Sequence, residues 1–364
     1  MSSTQPFLVY RDRIGAPSEV SFLRRQYVGF TRLHPVWTGR VMLPNADQVG
    51  AHRLRLGGDG PLGSARRLLF RQFGVVPPIG IPNLAPVLHA QFARGGALAL
   101  PMARALGMRL LVTLHGGDVS KQKNWHRTVL ARRWPDLVRE AARFVCVSAA
   151  VADIAAARGA PADKLTVLPI GVEIAPDPPP AMPPQAHLFV GRFVEKKGIS
   201  VLAAAIRHLR TAGDTTPVTF IGDGPLRPLL EQLSHDVSGV TLTGWLQPEA
   251  VRARMTSAYA LLVPSVVAND GDAEGLPSVI PEAMAQACPV IGSDQGGIAE
   301  AIHHQETGLL VAPGDPVVLA AAMRQMAQDA ALRTRLQAAG FREASAHLNA
   351  HVQSKKLENL LLAI

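Results

Sequence analysis

The sequence predicts an α/β protein of two successive halves, each a parallel sheet with helices on both faces, and three observations predict it. Short apolar runs alternate with longer helical patterns along the chain, as βα units require. The 364 residues exceed what one hydrophobic core usually serves, at about 100–200 residues per domain. Residues 173–185, EIAPDPPPAMPPQ, hold six prolines and no periodicity. Proline fixes φ and lacks an N–H, so this stretch cannot join a sheet and reads as a linker.

In the first half, strands are expected at 7–10, 87–90, 109–114, 143–147 and 165–168, with helical patterns near 18–32, 97–107, 126–142 and 149–158. Residues 40–86, rich in Gly, Pro and Arg, give no strand. In the second half, strands are expected at 187–191, 217–221, 239–242, 260–263, 289–292 and 309–311. Helical patterns there fall near 198–212, 225–234, 248–257, 278–287 and 316–330. A last helical pattern, about 345–363, follows the second half and can cross back onto the first. The expected division is 1–172, with helix 350–364 able to pack onto it, a linker at 173–185, and 186–349.

Hydrophobic residues make up 48% and charged residues 18%, which suits a folded soluble protein. No apolar run reaches the ~18–20 residues that span a bilayer, and MSSTQPFLVYRDR lacks the order of a secretory signal. Cys146 and Cys288, far apart in apolar stretches, are expected to be buried and reduced, and the protein cytoplasmic. The net charge of +9 is uneven. Residues 1–172 carry 23 Lys and Arg against nine Asp and Glu, a net of +14; the remainder carries 14 against 19, a net of −5. The basic half attracts anions. Aromatics are 5% and do not interleave with the basic residues, so nucleic acid is not an expected partner. An anionic membrane surface ranks above it. Arg66, Arg67 and Arg71 fall at helical spacing with Leu68, Leu69 and Phe70 between them, so one helix there would present charge and apolar grip to the inner membrane face. The plainer reading is a solvated basic face.

Four segments carry chemistry. Gly191-Arg192-Phe193-Val194-Glu195-Lys196-Lys197-Gly198 lies where the first strand of the second half turns into a helix, and strand C-terminal ends are where open α/β sheets bind ligands. Cations gathered there suit an anion, Arg as a planar fork and Lys as a mobile point charge; a solvated basic turn is the plain alternative. Asp272-Ala273-Glu274-Gly275-Leu276-Pro277-Ser278-Val279-Ile280-Pro281-Glu282-Ala283 follows a strand and opens a helix. Gly275 permits close backbone approach, Pro277 suits a helix start, and Glu282 can accept two ribose hydroxyls. Surface acids complementing the helix dipole would explain Glu274 and Glu282 without function. Gly222-Asp223-Gly224-Pro225-Leu226 is a further strand-to-helix turn, where a G-x-G is weak evidence alone. Thr113-Leu114-His115-Gly116-Gly117-Asp118 ends a first-half strand, and His115 there could meet a substrate hydroxyl or phosphate, or be structural.

Together, H-G-x-D at 115–118, G-R-x-x-x-x-K-G at 191–198, G-x-G-P at 222–225 and E-G-x-P-x-x-x-x-E at 274–282 resemble the retaining glycosyltransferases of family 4. Residues 85–119 and Pro17-Ser18-Glu19-Val20-Ser21-Phe22 look like the bacterial branch that builds colanic acid and other exopolysaccharides. The resemblance implies a GT-B fold, α/β with two Rossmann-like domains whose parallel sheets face across a cleft. It implies transfer of a hexose from a nucleotide-sugar donor, with retention, to a saccharide or lipid-diphosphate-saccharide acceptor. Arg192 and Lys197 would hold the diphosphate, Glu282 the ribose, and Glu274 the sugar near its anomeric carbon. Gly222 and Gly224 would border the nucleotide, with Leu246 of the Gly244-Trp245-Leu246 turn beside the base. Gly275, Leu276 and the backbone around Pro277 would support the phosphates or the sugar. His115 would touch the sugar from the first domain, with Asp118 completing its motif. The resemblance implies no bound metal and no further cofactor; Asp270-Gly271-Asp272 resembles a metal motif by letters only.

This chain departs from the family in three places. The first-half glycine loop is reduced to Gly15-Ala16-Pro17, Gln91 stands where a histidine is usual, and Pro281 is expected to start the Glu282 helix later. Competing readings on the same fold are a nucleotide-sugar epimerase, a phosphorylase, or a non-catalytic binding subunit.

Overall fold

The computed structural model describes residues 4–17, 19–180 and 182–364. Ser18, part of the Pro17–Phe22 segment singled out above, lies outside the described residues. The chain divides into two compact units, residues 1–171 with 350–364 and residues 172–349.

The first unit contains strands β1 (Gln5–Tyr10), β2 (Arg13–Ile14), β3 (Leu33–Gly39), β4 (Val41–Met42), β5 (Arg53–Arg55), β6 (Val87–Gln91), β7 (Arg109–Leu114), β8 (Arg143–Cys146) and β9 (Leu165–Val167). Seven of them form one parallel sheet in the order β5-β3-β1-β6-β7-β8-β9, and β2 pairs with β4. The central strands are buried on both faces, so β1 and β7 read as mostly apolar runs rather than alternating ones, while β6 carries His89 and Gln91 inside. Helices α1 (Val20–Arg25), α2 (Gly60–Phe73), α3 (Ala93–Leu106), α4 (Gly117–Ser120), α5 (Val129–Glu140) and α6 (Ala149–Ala157) complete this part of the chain. The free cysteine Cys146 is buried in β8.

Two expectations are corrected here. The helical pattern over 18–32 shortens to α1, and β3 follows, unexpected because His34, Pro35 and Thr38 break the apolar run that would mark a strand. Pro35 is tolerated by position. The Trp37 N–H donates to His52 O on the β5 side, so Pro35 turns its missing N–H to that same side, before β5 begins. Residues 40–86 hold β4 and β5 against the expectation of no strand, because pieces of two and three residues are too short to show an apolar run. Helix α2 also forms there, but Phe70 does not join its outward face. Phe70 is fully buried and packs 6.0 Å from the Tyr10 ring, as the anchor of the helix. Leu62, Leu68, Leu69 and Phe73 are the exposed apolar residues, Phe73 at 76%.

Helix α14 (Ala350–Ala363) belongs to the first unit. Buried Glu358 accepts the N–H groups of Thr31, Arg32 and Leu33 at 2.9, 2.7 and 2.8 Å, closing the entry to β3. Ser354 Oγ accepts the Gly29 N–H at 2.8 Å, and a Cβ on Gly29 would meet that oxygen at 2.4 Å.

The second unit holds β10 (Ala186–Val190), β11 (Val218–Ile221), β12 (Val240–Gly244), β13 (Ala258–Val263), β14 (Val290–Ser293) and β15 (Leu309–Val311), in the parallel order β12-β11-β10-β13-β14-β15. Its helices are α7 (Ile199–Thr211), α8 (Arg227–Asp236), α9 (Pro248–Thr256), α10 (Val279–Ala285), α11 (Gly296–Ala301), α12 (Pro316–Gln328) and α13 (Ala330–His347). The pattern expected over 316–330 is α12, and α13 follows it where no helix was expected before about 345. Asp329 ends α12 and caps α13, its carboxylate accepting the Leu332 N–H at 2.8 Å. Helix α10 begins before Pro281, which takes its third position, where the missing N–H costs nothing. Among the described residues, no helix is long and apolar enough to cross a membrane.

Candidate active site

In the second unit the strand order reverses between β10 and β13, which opens a crevice beyond their C-terminal ends. Residues 191–198 leave β10 and residues 264–278 leave β13, so the fold brings these two segments together. A Cβ on Gly198, at φ +68°, would lie 1.7 Å from the Pro264 carbonyl oxygen; only glycine allows this crossing. The Val266 N–H donates to Lys196 O at 2.9 Å. Gly222 and Gly224 serve the same packing. Their Cβ atoms would strike Gly191 O at 1.9 Å and Phe193 O at 2.6 Å, so these glycines admit the protein's own Gly191–Phe193 turn. Gly222 also donates its N–H to Gly244 O at 2.9 Å, which ties in the Gly244-Trp245-Leu246 turn, where Trp245 is exposed and Leu246 half-buried.

Charge concentrates at this crossing. Glu274 Oε1 lies 3.2 Å from Lys197 Nζ and 3.3 Å from Lys196 Nζ, and Lys196 also reaches Asp272 Oδ1 at 3.2 Å. All four side chains are largely buried. Burial alone would raise the Glu274 carboxyl, but Lys197 and then Lys196 outweigh it and hold it below the usual carboxylate range. Arg192 is exposed, and its guanidinium has no hydrogen-bond or ion-pair partner among the described residues. Gly275 and Pro277 are buried, Leu276 is half-buried, and Glu282 sits half-buried in the first turn of α10. Asp270 and Asp272 of the D-x-D string face inward to the loop. Asp270 Oδ1 accepts the Asp272 N–H at 3.1 Å, and Asp272 holds Lys196.

The first unit reverses its strand order between β1 and β6. Gly15 follows β1 at φ +93°, and a Cβ there would meet Ala46 N at 2.3 Å. Arg11 pairs with Glu19 through two bonds of 2.8 and 2.7 Å and lays its guanidinium 4.2 Å over the Phe92 ring. Phe92 itself has φ +68°, a strained backbone for a non-glycine residue, just after β6. Its ring lies 4.2 Å from that of His115, which follows β7, and Phe22 lies 5.3 Å from His115. Asp118 accepts the His115 N–H at 2.9 Å and the Ala93 N–H at 2.8 Å, one on each carboxylate oxygen, and so joins the two loops. Burial raises its carboxyl against the lowering effect of these N–H bonds. Burial first, then Arg11 and His89, pushes His115 down to about 3, so it stays neutral at physiological pH.

Two family models match this chain: "Glycosyl transferase 4-like domain" over residues 19–171 and "Glycosyl transferases group 1" over 184–329. AmsK of Erwinia amylovora, an amylovoran biosynthesis glycosyltransferase, is 30% identical over 294 residues, covering 77% of this chain and 70% of AmsK. The chain belongs to the group 1 glycosyltransferases. The protein of Escherichia coli K12 named colanic acid biosynthesis glycosyltransferase WcaL is 32% identical to it over 305 residues, covering 79% of this glycosyltransferase and 72% of WcaL. The crystal structure of Anabaena HepE in complex with UDP superposes with a TM-score of 0.77 at 15% identity, over 99% of this chain and 100% of that one, which shows the GT-B fold.

The glycosyltransferase thus holds Arg192, Lys197, Gly222, Gly224 and Glu274 on segments that touch, and His115, Asp118 and Gly15 on loops of the first unit. Sequence reasoning missed the part of Lys196, which lay inside the quoted motif but has the same letter as its neighbour. It also missed Arg11 and Phe92, for which no spacing gives a signal.

Proposed function

We propose that this glycosyltransferase moves a hexose, with retention of configuration, from a nucleoside-diphosphate sugar to a hydroxyl of a saccharide or lipid-diphosphate-saccharide, in exopolysaccharide assembly at the inner membrane face. The observation that carries the reading is the charge at the β10/β13 reversal: an Arg192 without a partner among the described residues, in the same turn as a Lys197 that Glu274 holds at 3.2 Å. Arg192 and Lys197 neutralise the departing diphosphate, the largest share of the rate enhancement in such transfers. Glu274 stays ionised and meets the sugar near the anomeric carbon, Glu282 takes the ribose, and His115 meets the sugar. Gly222, Gly224, Leu246, Gly275, Leu276 and Pro277 line the nucleotide and phosphates, and Gly15 and Asp118 shape the first-unit loops. The names of AmsK and WcaL support the exopolysaccharide assignment, and the similar HepE structures in complex with UDP and UDP-glucose support a nucleotide-sugar donor. No resident metal or further cofactor takes part in this reading.

The test is a thermal-shift screen of GDP-, UDP-, ADP- and dTDP-sugars, followed by transfer assays with the stabilising donor. Arg192→Ala and Lys197→Ala are expected to fold and to lose at least ~100-fold in transfer, the equivalent of about 2–4 kcal/mol of charge stabilisation. A chelator is expected to leave the rate unchanged. Near-normal turnover in either variant would remove the diphosphate assignment, and donor binding without transfer or hydrolysis would identify a silent subunit.

A further inference from the structure

One buried chain of side-chain hydrogen bonds ends on His115. His115 Nε2 meets Gln91 Oε1 at 2.9 Å. Gln91 Nε2 donates to the Tyr27 hydroxyl at 2.7 Å, and that hydroxyl meets His89 Nδ1 at 2.8 Å. His89 Nε2 then meets Thr113 Oγ1 at 2.7 Å. Gln26 pairs with Gln91 amide to amide, each donating to the other at 3.3 Å.

The imidazole and hydroxyl links have one proton each to give, and the Gln91 amide fixes its direction, so a fully bonded chain has one polarity. With the Gln91 carbonyl towards His115, the imidazole donates from Nε2. The Tyr27 oxygen then accepts from Gln91 and spends its single hydrogen on His89 Nδ1, which leaves Nε2–H of His89 for Thr113. The opposite polarity needs both amides overturned and both imidazole protons moved. The connecting groups Gln26, Tyr27, His89, Gln91 and Thr113 are all buried, where an unmade bond costs about 1–3 kcal/mol. The His115 ring has Phe92 and Phe22 against it, and its backbone N–H is held by Asp118. Its Nδ1 has no hydrogen-bond partner among the described residues.

We propose that Gln91 is the positioning residue for His115, holding the Nε2–H tautomer so that Nδ1 presents a lone pair that accepts a donor-sugar hydroxyl and repels a phosphate or carboxylate oxygen. This rests on the reading of His115 as a group that meets the sugar. It decides between the two ligands that a histidine at this strand end could serve, hydroxyl or phosphate. The burial that keeps His115 uncharged preserves the lone pair at physiological pH.

Imidazole ¹⁵N NMR on the full chain tests the assignment, with the His115 signal identified by its loss in His115→Ala. The wild-type signal is expected to show a protonated Nε2 and a bare Nδ1. Gln91→Met is expected to give a mixture of tautomers and to lower kcat about tenfold, one hydrogen bond's worth, with KM little changed. Gln91→Glu, nearly isosteric, is expected to keep Nε2–H and to favour a second proton on Nδ1. Its activity should then fall on acidification from pH 8 to 5, where the wild type stays flat. A wild-type Nδ1–H signature, or an unchanged tautomer in Gln91→Met, would overturn the proposal. A His115→Ala enzyme with wild-type turnover would overturn the placement beside the sugar while leaving the tautomer assignment standing.

Discussion

Glu274 and Glu282 are eight positions apart in sequence, yet their surroundings differ in kind. Glu274 lies between two ammonium groups, whereas Glu282 stands half-buried on the first turn of α10. A ribose contact is made equally in ground and transition states, so Glu282→Gln is expected mainly to raise KM. Glu274→Gln is expected mainly to lower kcat. Steady-state kinetics on both variants checks the division, and an identical pure KM effect would refute it. The two inner histidines give a second expectation. Burial holds both His89 and His115 down at about 3, so each binds its proton more readily in the unfolded chain. The stability they support is present above the unfolded value near 6.5 and is lost as pH falls from there towards 3. Melting temperature against pH should decline over that window, and His115→Gln should flatten part of the decline. At this scale the motifs made legible that Lys197 and Glu274 fall in one charged cluster. Not legible were the side chains that meet across loops, as Gln91, Tyr27 and His89 do.

Helix α2 shows how far a pattern carries an element. Arginines at helical spacing identified the helix, but not which apolar residue faces inward, because Phe70 and Phe73 differ only in which one finds Tyr10. Arg67 turns back onto the Gly58 carbonyl and Ser64, so Arg66 and Arg71 remain the outward charges. Exposed Leu62, Leu68, Leu69 and Phe73 beside them fit an anionic bilayer surface. Each basic residue adds about 1 kcal/mol there, fading within a Debye length of ~8 Å. Co-sedimentation with vesicles should rise with anionic lipid, fall with salt, and weaken in Arg66/Arg71→Ser and separately in Leu68/Phe73→Ser. Absence of binding at every salt concentration would place the acceptor in water. The strand–helix alternation made most other elements legible. β3 was not, since its proline is permitted only by where β5 starts.

Across the whole molecule, the proline-rich stretch marked where one sheet gives way to the next, and charge divided in the same region. The first unit is discontinuous, since residues 350–364, within the last helical pattern of the sequence, belong to it. It needs α14, whose Glu358 satisfies three backbone N–H groups. Residues 172–349 expressed alone should therefore unfold cooperatively, whereas 1–171 alone should not, and joining 350–364 to it should restore the transition. In the full chain Glu358→Ala is expected to cost about 2–4 kcal/mol in denaturant melts. Cooperative unfolding of 1–171 by itself would show that the return helix is dispensable.

The discontinuity also sets an order of events during synthesis. The half translated first is completed last, because the ribosome must make a further 193 residues after Gly171 before α14 can dock. At about 5–20 residues per second that is a wait of roughly 10–40 s. Throughout it the nascent amino-terminal sheet lacks the carboxylate that seals the start of β3. During that interval it would be a natural client for a holding chaperone. A frameshift that starts at the codon of Ala350 should likewise damage the half that was translated earlier.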